Sequence, residues 1–155
     1  MSESSPLAAA DREVLITRVF DAPREAVFKA WTEPDGVAAW FGPAHLDTPR
    51  EKVRIDLCVG GRYELTMVRP DTGAEFALGY EIVELVVPEL LVLRSDPMPE
   101  AGMPEPSIVR VELHDHGPKT RMTLTDGPLP AAGRDHAAAG WRGAFDKLEA
   151  LVARR

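Results

Sequence analysis

The chain carries a single cysteine, Cys58, among its 155 residues, so no disulfide can form within it. A lone cysteine in a strand reads as a small buried apolar residue. Basic runs are missing too, apart from Arg154-Arg155 at the very end, and the formal net charge is −7. That balance excludes a nucleic-acid-binding surface. No apolar stretch approaches the roughly 20 residues that a membrane-spanning helix needs. The opening MSESSPLAAADR has neither the basic start nor the apolar centre of a signal peptide, so a cytoplasmic protein is expected. Catalytic signatures are absent as well: no Ser/His/Asp constellation, no zinc-ligand spacing and no phosphate-binding glycine loop. No catalytic residue, metal or cofactor is expected. Aromatic residues make up only 6%, and none of the three Trp, two Tyr and five Phe lies between Glu81 and Gly140.

What remains is ordinary for a folded domain, with 45% apolar and 28% charged residues. The length suits one domain over 13–155, preceded by a flexible segment, 1–12. Glu13–Asp21 reads as a β-branched strand. Pro23–Trp31 reads as a helix with Val27, Phe28 and Trp31 on one face, and Pro34 opens a second short helix to Trp40. Strands follow over Glu51–Cys58, Arg62–Val68, Phe76–Val87, Leu90–Ser95, Ser107–His114 and Lys119–Asp126. They are separated by turns at Gly60-Gly61, Pro70–Gly73, Pro88-Glu89 and Asp115–Pro118. The Pro-rich 96–106 reads as a mobile surface loop near a rim. Trp141, Phe145, Leu148 and Val152 recur at helical spacing, which predicts a long closing helix over 134–153.

Strands joined by short turns imply an antiparallel sheet. Alternation sets Tyr63, Leu65 and Met67 on one face, and likewise Phe76, Leu78, Tyr80 and Ile82, and Met122 with Leu124. Glu64 and Glu81 then face water, with Arg18 and Arg62 expected to form ion pairs on that outer face. The first strand is ambiguous, with Val14, Ile16 and Phe20 on one parity and Leu15 and Val19 on the other. The aromatics are expected to meet around Trp40 and Trp141 under the closing helix.

Six local patterns occur in order: Arg18–Pro23 (RVFDAP), Val27–Trp31 (VFKAW), Trp40–Pro43 (WFGP), Gly60–Glu64 (GGRYE), Gly79–Ile82 (GYEI) followed by Pro88–Leu91 (PELL), and Gly140-Trp141. None is specific alone. Together, over about 13–153, they resemble the AHSA-type family, stand-alone homologues of the C-terminal domain of the heat-shock-protein-90 ATPase activator. That family belongs to the START/SRPBCC superfamily. The resemblance implies an α+β helix-grip fold like that of the birch-pollen (Bet v-like) allergen. A curved antiparallel sheet of six or seven strands would wrap a long C-terminal helix, with two short helices after the first strand. It also implies a hollow, which superfamily members use for lipids, sterols and polyketides, while some relatives are cyclases or dehalogenation-type enzymes. The separate N-terminal domain of the eukaryotic co-chaperone has no counterpart in this sequence, which weakens the expectation of chaperone activation.

The residues expected to line the hollow are Trp40, Phe41, Tyr63, Leu65, Met67, Phe76, Leu78, Tyr80, Met122, Trp141 and Phe145. Each has a plainer reading beside it. Trp40-Phe41 can wall a pocket entrance or plug the second helix onto the sheet, and Trp141 and Phe145 can press on a ligand or on strands. Tyr63 and Tyr80 can orient a ligand or bond a neighbour. Gly140 and Gly143 in one helical turn, each costing about 1 kcal/mol against Ala, point to a close approach by a strand, a ligand or another subunit. His114 and His116 read as part of a polar turn rather than a metal site, and His45 and His136 as solvent-facing. The leading expectation is binding of a small apolar or amphipathic ligand. The alternatives are a protein-interaction module, as a chaperone partner or homodimer, and a cyclase- or hydrolase-type enzyme.

Overall fold

The computed structural model describes residues 12–99 and 104–153. Of the expected N-terminal segment 1–12, residues 1–11 lie outside the described residues, as do 100–103 of the 96–106 loop. Seven antiparallel strands form one curved sheet in the order β1-β7-β6-β5-β4-β3-β2. The strands are β1 (Val14–Phe20), β2 (Arg54–Ile55), β3 (Arg62–Val68), β4 (Glu75–Val86), β5 (Leu90–Ser95), β6 (Ile108–His116) and β7 (Lys119–Gly127). Two short helices, α1 (Arg24–Thr32) and α2 (Pro34–Trp40), follow β1, and the long α3 (Ala131–Val152) closes the chain. This is an α+β helix-grip fold. Among the described residues, no helix is long and apolar enough to cross a membrane.

The parity of each strand decides which side α3 covers. On β1, Val14, Ile16 and Phe20 are buried while Leu15 and Val19 are exposed, which resolves the ambiguity in the sequence. Across the register, Ile16 opposes Leu124, Leu124 opposes Val111, and Val109 opposes Leu93, giving a continuous apolar inner surface. The outer surface carries ion pairs: Glu81 with Arg94, Arg62 with Glu64 and Asp96, and Arg110 with Glu84 and Glu112. These pairs are half exposed, so each contributes about 0–1 kcal/mol and serves mainly to keep that face wet.

Arg18 departs from its expected place. It shares the parity of Ile16 and Phe20, so its guanidinium reaches α3 and bonds Asp146 (2.6 Å) and Glu149 (2.8 Å). Arg18 thus pins the helix to the first strand instead of pairing on the outer face.

The expected strand Glu51–Cys58 is the main correction. Arg50–Lys52 form a 3-10 turn, and only Arg54–Ile55 pair with β3. The ladder stops because the chain turns back at Asp56, whose carbonyl accepts from Cys58 N–H (2.9 Å). Cys58 is accordingly exposed and outside any strand, contrary to the buried residue expected. The turn expected at Asp115–Pro118 is also tighter. β6 runs to His116 and β7 starts at Lys119, so only Gly117-Pro118 turn, and Asp115 pairs with Arg24 (2.9 Å). Finally, α3 begins at Ala131, straight after Pro130, three residues earlier than the apolar spacing indicated.

α3 packs tightly over its second half. Phe145, Leu148 and Val152 are fully buried, and Phe145 meets Phe20 edge-on at 6.4 Å. Trp31 of α1 sits centrally, its ring 4.6 Å from Trp40, 5.9 Å from Trp141 and 6.3 Å from Phe145. Phe145→Ala is expected to cost about 3–5 kcal/mol, because the surrounding rings cannot collapse into the space left. Phe76→Ala, at a 45% exposed position, should stay within about 0.5 kcal/mol. Urea denaturation of both variants checks the contrast.

Candidate functional site

Apart from Trp141, which reaches β7, the inward residues in the first half of α3 leave space above the sheet. Its inward turn carries Ala137, Gly140, Trp141 and Ala144, and three of these four side chains are too small to fill the space below. A groove of about 1180 Å³ remains, bounded by α3, by Leu65 and Met67 of β3, by Leu78 and Tyr80 of β4, and by the loop from Phe41 to Leu46. Phe76 and the Asp96–Met98 segment also border it.

The two glycines of α3 have different causes. At Gly143 the chain passes so closely that an added Cβ would lie 3.2 Å from the Ala44 nitrogen. At Gly140 an added Cβ would meet nothing within 4 Å, so this glycine borders the groove. Lys147 fastens the same loop by donating to the carbonyls of Pro43 (3.3 Å) and Leu46 (3.4 Å). Burial pushes its ammonium pKa down.

Of the residues read from the sequence, Phe41, Leu65, Met67, Phe76, Leu78, Tyr80 and Trp141 line the groove. Trp40, Tyr63, Met122 and Phe145 lie in the packed core with no exposed surface. Trp40 and Tyr63 satisfy their polar atoms there: Trp40 Nε1 donates to the Ala30 carbonyl (2.8 Å) and Tyr63 Oη to the Trp31 carbonyl (2.6 Å). Burial, and then the neighbouring Tyr80, hold the Tyr63 phenol well above its ordinary pKa. His45 and His136 are exposed at the rim. His114 and His116 are exposed at the end of β6, and no cluster of three or more potential metal ligands occurs among the described residues.

Asp126 was not singled out in the sequence, yet it is the polar feature of the groove. It is only 7% exposed and forms part of the wall. Trp141 Nε1 donates to its Oδ2 at 2.9 Å, while its Oδ1 is buried without a hydrogen-bond partner. Burial raises its pKa above the ordinary carboxylate value, and Glu13 adds to the rise. The bond from Trp141 and the nearby Ser107 hydroxyl offset part of it. Tyr80 is raised in turn by burial and then by the Asp126 charge. The signal was present: Asp126 continues the parity of Met122 and Leu124, so the alternation that placed those two inward places it inward as well.

A curved antiparallel sheet gripping one long helix, with a groove under half of that helix, defines a helix-grip protein of the START/SRPBCC type. The profile of the Activator of Hsp90 ATPase homolog 1-like protein family matches residues 21–153, and the chain belongs to that family. No protein of curated function matches it. Among solved structures, a protein from Chromobacterium violaceum is 25% identical, with 91% of this chain and 96% of that one covered at a TM-score of 0.81. The AHSA1-like protein from Aeromonas hydrophila is also 25% identical, with 92% of each chain covered and a TM-score of 0.77. The AHSA1 protein from Silicibacter pomeroyi is 20% identical over 91% of this chain and 97% of its own, at a TM-score of 0.76.

The Asp126 carboxyl holds its proton more tightly in the folded chain than in the unfolded one. Its contribution to stability is therefore full below the ordinary carboxylate value of 3.8 and falls as pH rises through the raised value. Asp126→Asn removes this dependence. Urea denaturation across acidic to neutral pH is expected to show the wild type losing stability relative to the variant as pH rises. Other carboxylates, such as the Arg110-paired Glu112 whose pKa is lowered, are common to both chains and drop out of the difference. Parallel pH profiles would contradict the burial argument.

Proposed function

We propose that this chain binds a small apolar or amphipathic molecule in the groove beneath the first half of α3. The observation that carries the reading is the contrast along one helix. The segment from Phe145 to Val152 is packed solid, whereas Ala137 to Ala144 roofs about 1180 Å³ of space. Small-molecule sites typically occupy about 300–1,000 Å³ and combine apolar walls with a few polar groups. The apolar walls include Phe41, Leu65, Met67, Leu78 and Trp141, the buried polar groups are Tyr80 and Asp126, and charged residues such as Glu51, Lys52, Arg54 and Arg69 border the space as well. Voids of this kind forfeit dispersion contacts, and closing one with larger side chains would restore them. A fold that keeps this space open in a chain with a well-packed core gives the space a use.

A second reading draws on the family name, which refers to activation of a chaperone ATPase. Stimulation of ATP hydrolysis by a bacterial chaperone of the heat-shock-protein-90 type would favour it. A chaperone partner contacting the outer surface would leave the groove accessible, so the two readings separate experimentally.

Thermal-shift screening with fatty acids, sterols and aromatic polyketides tests the first reading directly. At least one class is expected to raise the melting temperature. Gly140→Leu supplies the control, because its side chain would project into open space. Relieving a helix-interior glycine favours the fold by up to about 1 kcal/mol. The variant should keep or gain stability while losing the ligand-induced shift. A shift that survives in Gly140→Leu, or no shift with any class, would refute binding in this groove.

A further inference from the structure

Asp126 is the only charged side chain among the fully buried positions of the described residues. It stands without a counter-charge. One carboxylate oxygen takes the indole N–H of Trp141, and the other is buried without a hydrogen bond within 3.5 Å, with no charged donor beside it. No salt bridge joins it to a lysine or arginine among the described residues, and the nearby Glu13 has the same sign. Ser95 Oγ accepts from the Ser107 N–H at 2.8 Å and lies 3.1 Å from Ser107 Oγ, and the Ser107 hydroxyl, a neutral group, is the other donor beside the carboxyl. A buried carboxylate left in this state is costly, since burial removes hydration without replacing it. The groove wall is where a replacement can arrive.

The surroundings narrow what that replacement is. Asp126, Tyr80, Trp141 and Phe41 border the same space, and the Phe41 ring meets Trp141 at 5.5 Å. A ligand carboxylate there would face a like charge. A ligand hydroxyl would supply one hydrogen bond and leave the charge uncompensated. An ammonium supplies both the hydrogen bond and the opposite charge, and aromatic faces attract cations in addition. The net charge of −7 also favours the approach of a cation.

Resting on the groove reading above, we propose that Asp126 anchors the basic nitrogen of an apolar amine whose hydrocarbon part lies along Leu65, Met67 and Leu78. The nitrogen approaches the carboxylate from the groove side. The terminal torsion of an aspartate is broad, so a small rotation presents the unpartnered oxygen to it. Tyr80 flanks the same position and offers its hydroxyl oxygen as a second acceptor.

The experiment is calorimetric titration of the full chain with three probes of equal chain length: decylamine, decanol and decanoate, each below its micelle-forming concentration. Decylamine is expected to bind at least about tenfold tighter than decanol, and decanoate weakest of the three, as a charge-assisted hydrogen bond requires. In Asp126→Asn, which keeps shape and an acceptor oxygen but loses the charge, decylamine affinity should fall to that of decanol while decanol is unchanged. Equal affinities for the three probes, or an amine preference that persists in Asp126→Asn, overturns the assignment and leaves the groove reading standing. Failure of all three probes to bind overturns both. Should the variant fail to fold, the ranking of the probes on the wild-type chain decides alone.

Discussion

The packing of Trp31 against Trp40, Phe41, Trp141 and Phe145 is the constraint on which the rest depends. The Trp31 ring lies between the two short helices and the long one, and Tyr63 ties its carbonyl to β3. This cluster sets the distance of α3 from the sheet. Toward the C-terminus, Phe145, Leu148 and Val152 fill that distance and are fully buried. Toward the N-terminus only alanine and glycine accompany Trp141, so the same separation becomes a groove. One helix therefore serves as core on one side of the aromatic cluster and as roof on the other.

Polarity divides the sheet in a complementary way. The outer face is laced with half-exposed ion pairs, which add little to stability individually. The inner face has a single buried charge, at the point where β7 runs out beneath Trp141. In water a carboxylate there would be unremarkable. Under an indole ring and without an ion pair among the described residues, it gives one end of the groove a definite electrostatic sense, which an apolar cavity of the same shape would not have.

Much of this was legible before any coordinates. Period-two alternation identified β3, the Tyr80–Ile82 part of β4, and β7. Helical spacing at Trp141, Phe145, Leu148 and Val152 found the face of α3, and six short motifs in order pointed to the fold. The departures have local causes. Val53, Ile55 and Leu57 alternate like a strand, yet only Arg54–Ile55 pair, because a turn at Asp56 outweighs the pattern. Arg18 was assigned to water by its charge although its parity pointed inward, where Asp146 and Glu149 of α3 receive it. Asp126 likewise keeps the inward parity of β7 despite its charge.

By itself, then, the chain of residues determined which faces are oily, where α3 lies, and which aromatics gather beneath it, because those properties follow from local spacing and the 2.0 and 3.6 periodicities. Tertiary structure alone decided which of those side chains fill the interior and which merely border a space, separating Trp40, Tyr63, Met122 and Phe145 from Phe41, Leu65 and Trp141. It also decided that Asp126 loses its water without gaining a cation. Both outcomes depend on distances between segments far apart in sequence, and a local pattern carries no measure of those distances.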